Sequence, residues 1–319
     1  IALNLSTIPS IMQCFGAYPF SWLLKDGQLV PGEIQPEVKN GLRYLNDMYN
    51  KGCFAKDFIS RDMTEDLYAN NAGFVLAQWW YYGWPLSTSK TNDTSIDWAC
   101  GPIPGEGNNG NVIIHRKPVI SSVICINKTH KKPEAMVKAI NVYIEEFHFP
   151  RKNNSMFDKG YVWKWFPATY GDPAVVEHMY TDSQDILAGK GKDLDNLQED
   201  VRKSYEFYMD WLEYKKGNKP FETSMYMGYG RAAKEGGIAK TLDIIKNDQV
   251  VYDEFVGVPT STMVEKGSTL RTLTDETFVK IILGELPVDD FDKYVEDWKK
   301  IGGADTIKEV NEWYKSANK

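Results

Sequence analysis

Five aromatic side chains fall within six positions at Trp79-Trp80-Tyr81-Tyr82-Gly83-Trp84. Their chemistry is that of a stacking platform. Aromatic faces suit sugar rings, because C–H groups pack on the negative π-face while the hydroxyls stay free for hydrogen bonds. The run before them, Phe74-Val75-Leu76, is apolar and β-favouring, with Gly73 ahead and Gly83 and Pro85 behind. That pattern predicts a short buried strand with the aromatics just past its end. Ligands of open α/β sheets bind outside strand carboxyl ends. Core packing is the competing reading for each of these rings.

Other chemistry-bearing residues are less organised. A glycosidase needs two carboxylates flanking a sugar, and Asp97, Glu106, Asp172, Glu222, Asp253 and Glu254 lie in or near loops. Chain spacing selects no pair among them. Ser6 and Ser121-Ser122 lack a GxSxG elbow. Gly105-x-Gly107-x-x-Gly110 matches a dinucleotide fingerprint by letter. Pro104 precedes it and Val112-Ile113-Ile114 follows, so it reads as a glycine-rich hairpin loop and not as a strand-to-helix phosphate turn. Gly228-x-Gly230-x-x-Ala233 precedes a helix-like stretch but lacks an apolar strand before it. His115, His130, His148 and His178 have no metal-ligand spacing. Asp193-x-Asp195 lacks the turn glycine and final glutamate of a calcium loop. No catalytic residue, metal or cofactor is expected.

A chain of 319 residues suggests two domains or lobes. With 42% apolar and 25% charged residues it has an ordinary globular composition. A net charge of −7 argues against a nucleic-acid groove. Arg116-Lys117 with Lys128 to Lys132 is a small basic stretch that reads as a solvated loop. No run approaches the roughly 18 apolar residues of a membrane helix. The 13% aromatic content leans towards carbohydrate ligands. Cys14, Cys53, Cys100 and Cys125 are far apart, form no CxxC pair, and leave two disulfides or none open. The sequons at Asn4, Asn92, Asn127 and Asn153 matter only in a glycosylating host.

The elements that must position these residues follow from breakers and periodicity. Residues 1–33 read as irregular, with Phe15, Tyr18, Phe20 and Trp22 among turn signals such as Asp26-Gly27. Residues 35–51 read as a helix with Val38, Leu42, Leu45 and Tyr49 on one face. A short helix capped by Thr64 comes next, burying Leu67 and Tyr68. Trp98–Ile103, Val112–Ile114 and Val119–Ile126 read as strands. Pro133 opens a helix with a Met136, Ala139, Ile140, Tyr143, Ile144 stripe. Residues 149–172 are aromatic and broken, and Asp172-Pro173 reads as a cap. Residues 193–216 form the longest predicted helix, 218–230 a loop, and 231–247 a helix weakened by Gly236 and Gly237. Near the end, Thr274 is predicted to cap a helix stopping at Gly284. Helices over 290–301 and from Asp305 complete the chain.

An ordered set of motifs closes the sequence: Phe255-Val-Gly-Val-Pro-Thr-Ser-Thr-Met263, Glu276-Thr-Phe-Val-Lys-Ile-Ile-Leu-Gly284, Asp290-Phe-Asp-Lys-Tyr294, Trp298-Lys-Lys-Ile-Gly-Gly303 and Glu309-Val-Asn-Glu-Trp-Tyr314. Upstream stand Phe15-Gly-Ala-Tyr-Pro-Phe-Ser-Trp22 with Lys25-Asp-Gly27, and Ala72-Gly-Phe-Val-Leu-Ala-Gln-Trp79. Gly101-Pro-Ile-Pro-Gly105, Val123-Ile-Cys-Ile-Asn127 and Lys132-Pro-Glu-Ala135 lie between the two sets. Together they resemble extracellular solute-binding proteins (family 1) of carbohydrate ABC importers, and most of all the large lipoprotein subfamily of Gram-positive bacteria.

The resemblance implies an α/β, periplasmic-binding-protein type II-like two-lobe fold. Residues 1–118 plus 256–319 would form the second lobe, and 119–255 what remains of the first. Family members carry a leader and most of a first lobe ahead of such a stretch, so a truncated chain with an incomplete first lobe is expected. The implied function is binding, not catalysis: a sugar or oligosaccharide held between closing lobes and delivered to permease subunits of an ABC transporter. The protein would sit at the cell surface, touching the membrane only through a lipid anchor outside this chain. By resemblance Trp80 is the sugar-stacking residue. Trp22 and Phe20 lie where another cleft aromatic is found, and Trp79, Tyr81 and Trp84 are secondary candidates because alternate residues leaving a strand face opposite ways. A secreted glycoside hydrolase and a surface adhesion module are the competing classes. Two carboxylates about 5–10 Å apart beside the platform would favour the first, and a flat exposed patch the second.

Overall fold

The computed structural model describes residues 1–105, 113–116, 124–148, 174–191 and 193–317. Helix α1 (Ile8–Met12) is followed by a hairpin of β1 (Trp22–Lys25) and β2 (Gln28–Pro31) and then by helices α2 (Glu37–Asn50), α3 (Met63–Tyr68) and α4 (Leu86–Asn92). Next come β3 (Ile114–Arg116), α5 (Glu134–His148), α6 (Val175–Leu187), α7 (Glu199–Lys215), α8 (Thr223–Ala232) and α9 (Gly237–Lys246). β4 (Val250–Tyr252), α10 (Ser261–Leu283), α11 (Asp290–Trp298) and α12 (Ala304–Ala317) finish the chain. The protein is thus a mixed α and β structure dominated by helix. No helix among the described residues is long and apolar enough to cross a membrane.

The chain divides into two compact units. One comprises Ile1–Leu76, Pro102–Pro118 and Ile244–Lys319; the other comprises Ala77–Gly101 and Val119–Asp243. The aromatic run therefore groups with residues 119–243, whereas the lobe boundaries read from sequence group it with 1–118 and 256–319.

In the first unit α2 lays Val38, Leu42 and Leu45 against Phe278, Ile281 and Ile282 of α10, and Phe291, Tyr294 and Trp298 of α11 join the same core. The apolar positions of α2 and α11 were legible because each recurs with helical period. Asp26 and Gly27 both adopt positive φ, 50° and 76°, and close the β1–β2 hairpin in antiparallel register from Trp22↔Pro31 to Lys25↔Gln28. Asp-Gly supplies that turn at little steric cost. The far edge of β2 is covered by Asn311 of α12, which accepts from Leu29 N–H at 2.9 Å and donates to Leu29 C=O at 2.8 Å. A single amide thus imitates a strand neighbour. β3 and β4 pair in parallel, Ile114↔Val250 to Arg116↔Tyr252.

Several local expectations are corrected. Phe74–Leu76 is not a strand: Val75 makes one parallel bridge to Ala2, and Phe74 is 48% exposed. The partner segment turns away at once, because Asn4 caps the helical turn Leu5–Thr7. The α3 cap is Asp62, whose side chain accepts from Thr64 N–H at 2.9 Å. Trp98–Ile103 forms no strand, since tyrosine hydroxyls bond both backbone groups of Trp98. Thr274 lies inside α10. Its hydroxyl bonds the Leu270 carbonyl and Tyr294 Oη, while Thr260 caps the helix. At 23 residues α10 exceeds α7, which has 17. Residues 124–126 carry no strand, and Ile124 and Ile126 are exposed. The 106–112 loop, residues 117–123, the aromatic stretch 149–172 and the Asp172-Pro173 cap lie outside the described residues.

Residues 223–230, expected as loop, belong to α8. Two glycines hid it by lowering helix propensity. Both sit where the helix touches neighbours too closely for a side chain. A Cβ on Gly228 would lie 2.4 Å from the Phe207 and Tyr208 backbone, and one on Gly230 would lie 2.5 Å from Tyr82 Cβ. These are packing glycines and not a phosphate loop.

Gly228→Ala is expected to destabilise the protein by about 1–3 kcal/mol, the usual range for overpacking. Gly267→Ala, in α10 with nothing within 4 Å of the new Cβ, is expected to stabilise it by roughly 0.5–1 kcal/mol. Urea titrations of the two variants measure both, and equal midpoints would refute the packing account.

Candidate functional site

The aromatic run of the second unit leaves Gln78 as a helical-type turn. Tyr81 N–H bonds Gln78 C=O, Gly83 N–H bonds Trp80 C=O, and Leu86 N–H bonds Tyr81 C=O, at 2.9, 2.9 and 3.0 Å. Residues four apart on such a turn share a side. Trp80 and Trp84 accordingly lie near-parallel, ring centroids 6.2 Å apart and planes 12° off. Trp84 is 49% exposed and Trp80 partly so. Trp80 Nε1–H donates to Gln78 Oε1 at 2.5 Å, and Tyr81 leans on Trp80 at 4.7 Å. The strand-exit alternation does not operate here, because the backbone is a turn and not a strand.

Tyr81 and Tyr82 face inward, and burial pushes both phenols up from the ordinary value. Tyr82 packs edge-on against Tyr226 at 5.0 Å and Tyr229 at 5.2 Å, with Trp211 against both tyrosines. Trp79 goes elsewhere. It packs on the core of Met179, Leu197, Val201 and Ile238, and its backbone approaches Gly237 so closely that a Cβ there would sit 2.9 Å from the Trp79 carbonyl oxygen. The Arg231 guanidinium lies over its ring at 5.8 Å.

Lys90 of α4 fixes this turn from behind. Its side chain is 1% exposed, and its ammonium donates to Thr94 C=O, Ile96 C=O and Asp97 Oδ1 at 3.0, 2.9 and 2.7 Å. Trp211, Tyr214, Phe221 and Tyr226 surround it with ring centroids 5.6 to 5.9 Å away. Burial works against ionising the Asp97 carboxyl, but Lys90 and Lys215 together hold it below its usual value. Asp97, a loop acid in the sequence, is thus committed to two lysines.

Phe20 and Trp22 belong to the first unit. Phe20 adopts φ 66°, and its N–H donates to Glu33 Oε2 at 3.2 Å. Arg271 stacks on the ring at 3.6 Å while donating through Nε to Asp275 at 2.7 Å. A small hollow is lined there by Ile8, Pro9, Phe20, Arg271, Asp275 and Phe278. Burial raises the Glu33 pKa to about 7, against the opposing pull of the Glu33 and Phe20 N–H groups and Arg271, with Asp253 adding to the rise. Trp22 packs edge-on against Phe255 at 6.1 Å, and Phe255 against Trp313 at 4.8 Å. Asp253 accepts from the backbone N–H of both Trp22 and Phe255, so this acid also holds backbone in place.

Each unit therefore carries its own candidate aromatics: Trp79, Trp80, Tyr81 and Trp84 in one, Phe20 and Trp22 in the other. Arg231, Arg271, Glu33 and Lys90 were not singled out from sequence. Their positions depend on contacts far apart in the chain. Among the described residues no group of three or more His, Cys, Asp or Glu could hold a metal ion. The four cysteines are unpaired. Asn4 and Asn127 serve local structure: Asn4 caps Leu5–Thr7, and Asn127 accepts from Thr129 N–H and Oγ1.

The chain is similar to a polygalacturonan/rhamnogalacturonan-binding protein. That protein, YtcQ of Bacillus subtilis (strain 168), is 20% identical over 308 residues, covering 94% of this chain and 55% of the relative. Lipoprotein LipO of the same organism is 21% identical over 318 residues, covering 96% of this chain and 57% of the relative. The chain thus spans about half the length of the curated relatives it matches. No protein-family model matches it. Both alignments run along nearly the whole chain; one relative is named for polygalacturonan/rhamnogalacturonan binding and the other as a lipoprotein.

Two measurements probe the site's supports. Glu33 binds its proton more tightly folded than unfolded, so stability should fall as pH rises from its ordinary 4.5 through about 7. Unfolding titrations across that window should show the slope in the wild type and its loss in Glu33→Gln. Lys90→Met should cost at least about 2 kcal/mol, because it strands two carbonyl acceptors beside the aromatic cluster. Denaturation at neutral pH that finds no loss would refute the anchoring role.

Proposed function

We propose that this chain is part of an extracellular solute-binding protein that captures a sugar or oligosaccharide for an ABC importer. The observation that carries the reading is the near-parallel, partly exposed Trp80–Trp84 pair, two rings offered side by side on a turn whose tyrosines are buried. A sugar face stacks on such a platform with its hydroxyls left to polar neighbours. The binding named for the YtcQ relative supports a carbohydrate ligand, and the lipoprotein name of the other supports a surface-anchored protein. In this reading the fold is of the periplasmic-binding-protein type II kind, Phe20 and Trp22 add aromatic contacts, and permease subunits are the partners. Tyr81 supports Trp80 from below, and Trp79 contributes at the edge of the core.

The test is calorimetry of the full chain against oligogalacturonides, neutral oligosaccharides and a peptide panel. Binding of at least one saccharide and no peptide is expected; the reverse pattern overturns the reading. Trp80→Ala should weaken saccharide binding by about 1–3 kcal/mol, the usual worth of an aromatic stacking partner. Unchanged affinity in a folded variant removes Trp80 from the site.

A further inference from the structure

Gln78 opens the aromatic turn and is tied to it twice. Its backbone carbonyl accepts from Tyr81 N–H at 2.9 Å, and its side-chain Oε1 accepts from Trp80 Nε1–H at 2.5 Å. An indole N–H can only donate, so the carboxamide atom that meets it must be the oxygen. That bond fixes the nitrogen end as well. Nε2 carries two N–H donors, and among the described residues no acceptor holds them. Gln78 is exposed, so these donors stand open to solvent one carboxamide width from the indole edge.

The polar groups around it are engaged with the protein. Tyr82 Oη–H donates to Trp98 C=O at 2.9 Å, Ser87 Oγ–H donates to Gly83 C=O at 2.7 Å, and Trp80 N–H is held by Gln78. Tyr81 is buried. A sugar laid on Trp80 and Trp84 therefore meets apolar ring faces, and Gln78 is the exposed polar side chain of the turn that is still open to it. Stacking seats a pyranose by its C–H face and leaves its rotation over the ring undefined, whereas a hydrogen bond at the edge fixes that rotation. The edge of a pyranose carries ring, glycosidic and hydroxyl oxygens, each an acceptor for an amide N–H.

We propose that Gln78 contacts the ligand, its Nε2 amide donating to an acceptor oxygen at the edge of a sugar stacked on Trp80 and Trp84. This rests on the carbohydrate-binding reading above and deepens it.

The experiment is calorimetry on the full chain with two probes, trigalacturonate and the neutral trisaccharide galactotriose, at least one of which should bind. Gln78→Met keeps the side-chain length and removes both ends of the amide. It should weaken binding about three- to tenfold, the usual effect of losing one neutral hydrogen bond. Trp80→Phe keeps a ring but has no N–H for Gln78 to hold, and adding Gln78→Met to it should produce the same loss. A loss that vanishes in that background means that Gln78 only orients Trp80, and overturns the contact. Unchanged affinity in a Gln78→Met variant shown folded by circular dichroism also overturns it, while wild-type binding keeps the carbohydrate reading intact. Binding of neither probe by the folded wild-type chain overturns both. In the isotope-labelled unmodified chain, the Gln78 side-chain amide resonances should shift on saturation with the bound probe. Resonances that stay in place overturn the proposal without any substitution.

Discussion

Lys90 is the constraint on which the second unit turns. An ammonium removed from water costs several kcal/mol unless oxygens replace its hydration. Here two carbonyls and one carboxylate do so at 2.7 to 3.0 Å, and four aromatic rings close around the stem and head. The oxygens belong to residues 94–97 and the rings to 211–226, so the charge can be buried only when both segments are in place. Once they are, α4 has no freedom to shift, and the aromatic turn immediately before it is held from its C-terminal side.

The same economy governs how α8 meets its neighbours. Gly228 and Gly230 let the helix approach α7 and Tyr82 to distances no Cβ would permit. Close approach brings Tyr226 within reach of Trp98 N–H at 2.7 Å, and Tyr82 donates to Trp98 C=O at 2.9 Å. Two phenols thereby satisfy a backbone that would otherwise need a strand partner. Burial of Tyr82 and Tyr226 commits the inward side of the aromatic run to structure. Trp80 and Trp84 remain partly accessible because a helical turn puts them together on the other side.

In the first unit a different device holds the candidate aromatics. Phe20 is kept at a positive φ by a hydrogen bond from its N–H to Glu33 and by the Arg271 guanidinium on its ring. Trp22 is pinned through both backbone groups by residues 253–254. Helix α10 and the segment after β4 therefore meet hairpin β1–β2 at these residues although the hairpin is more than 200 positions from both in the chain.

The sequence alone determined the part set by local physics. Helical period marked the buried faces of α2 and α11, Asp26-Gly27 marked a turn, and Gly284 marked the end of α10, because each signal lies within one or two turns of chain. Aromatic density marked residues 79–84 as the place to look for a ligand platform. Which rings face out was decided by the tertiary structure, since a run that reads as strand exit becomes a helical turn when Ala2 offers only one bridge and Lys90 locks α4 behind it. The helical state of 223–230 was likewise decided there, because glycines that weaken a helix in isolation are what let it pack. Arg231 shows the limit most clearly. Nothing in its neighbours along the chain distinguishes it, and only the spatial positions of Trp79, Asp200 and Ser204 show it to be a buried cation paired with Asp200 and laid over an indole.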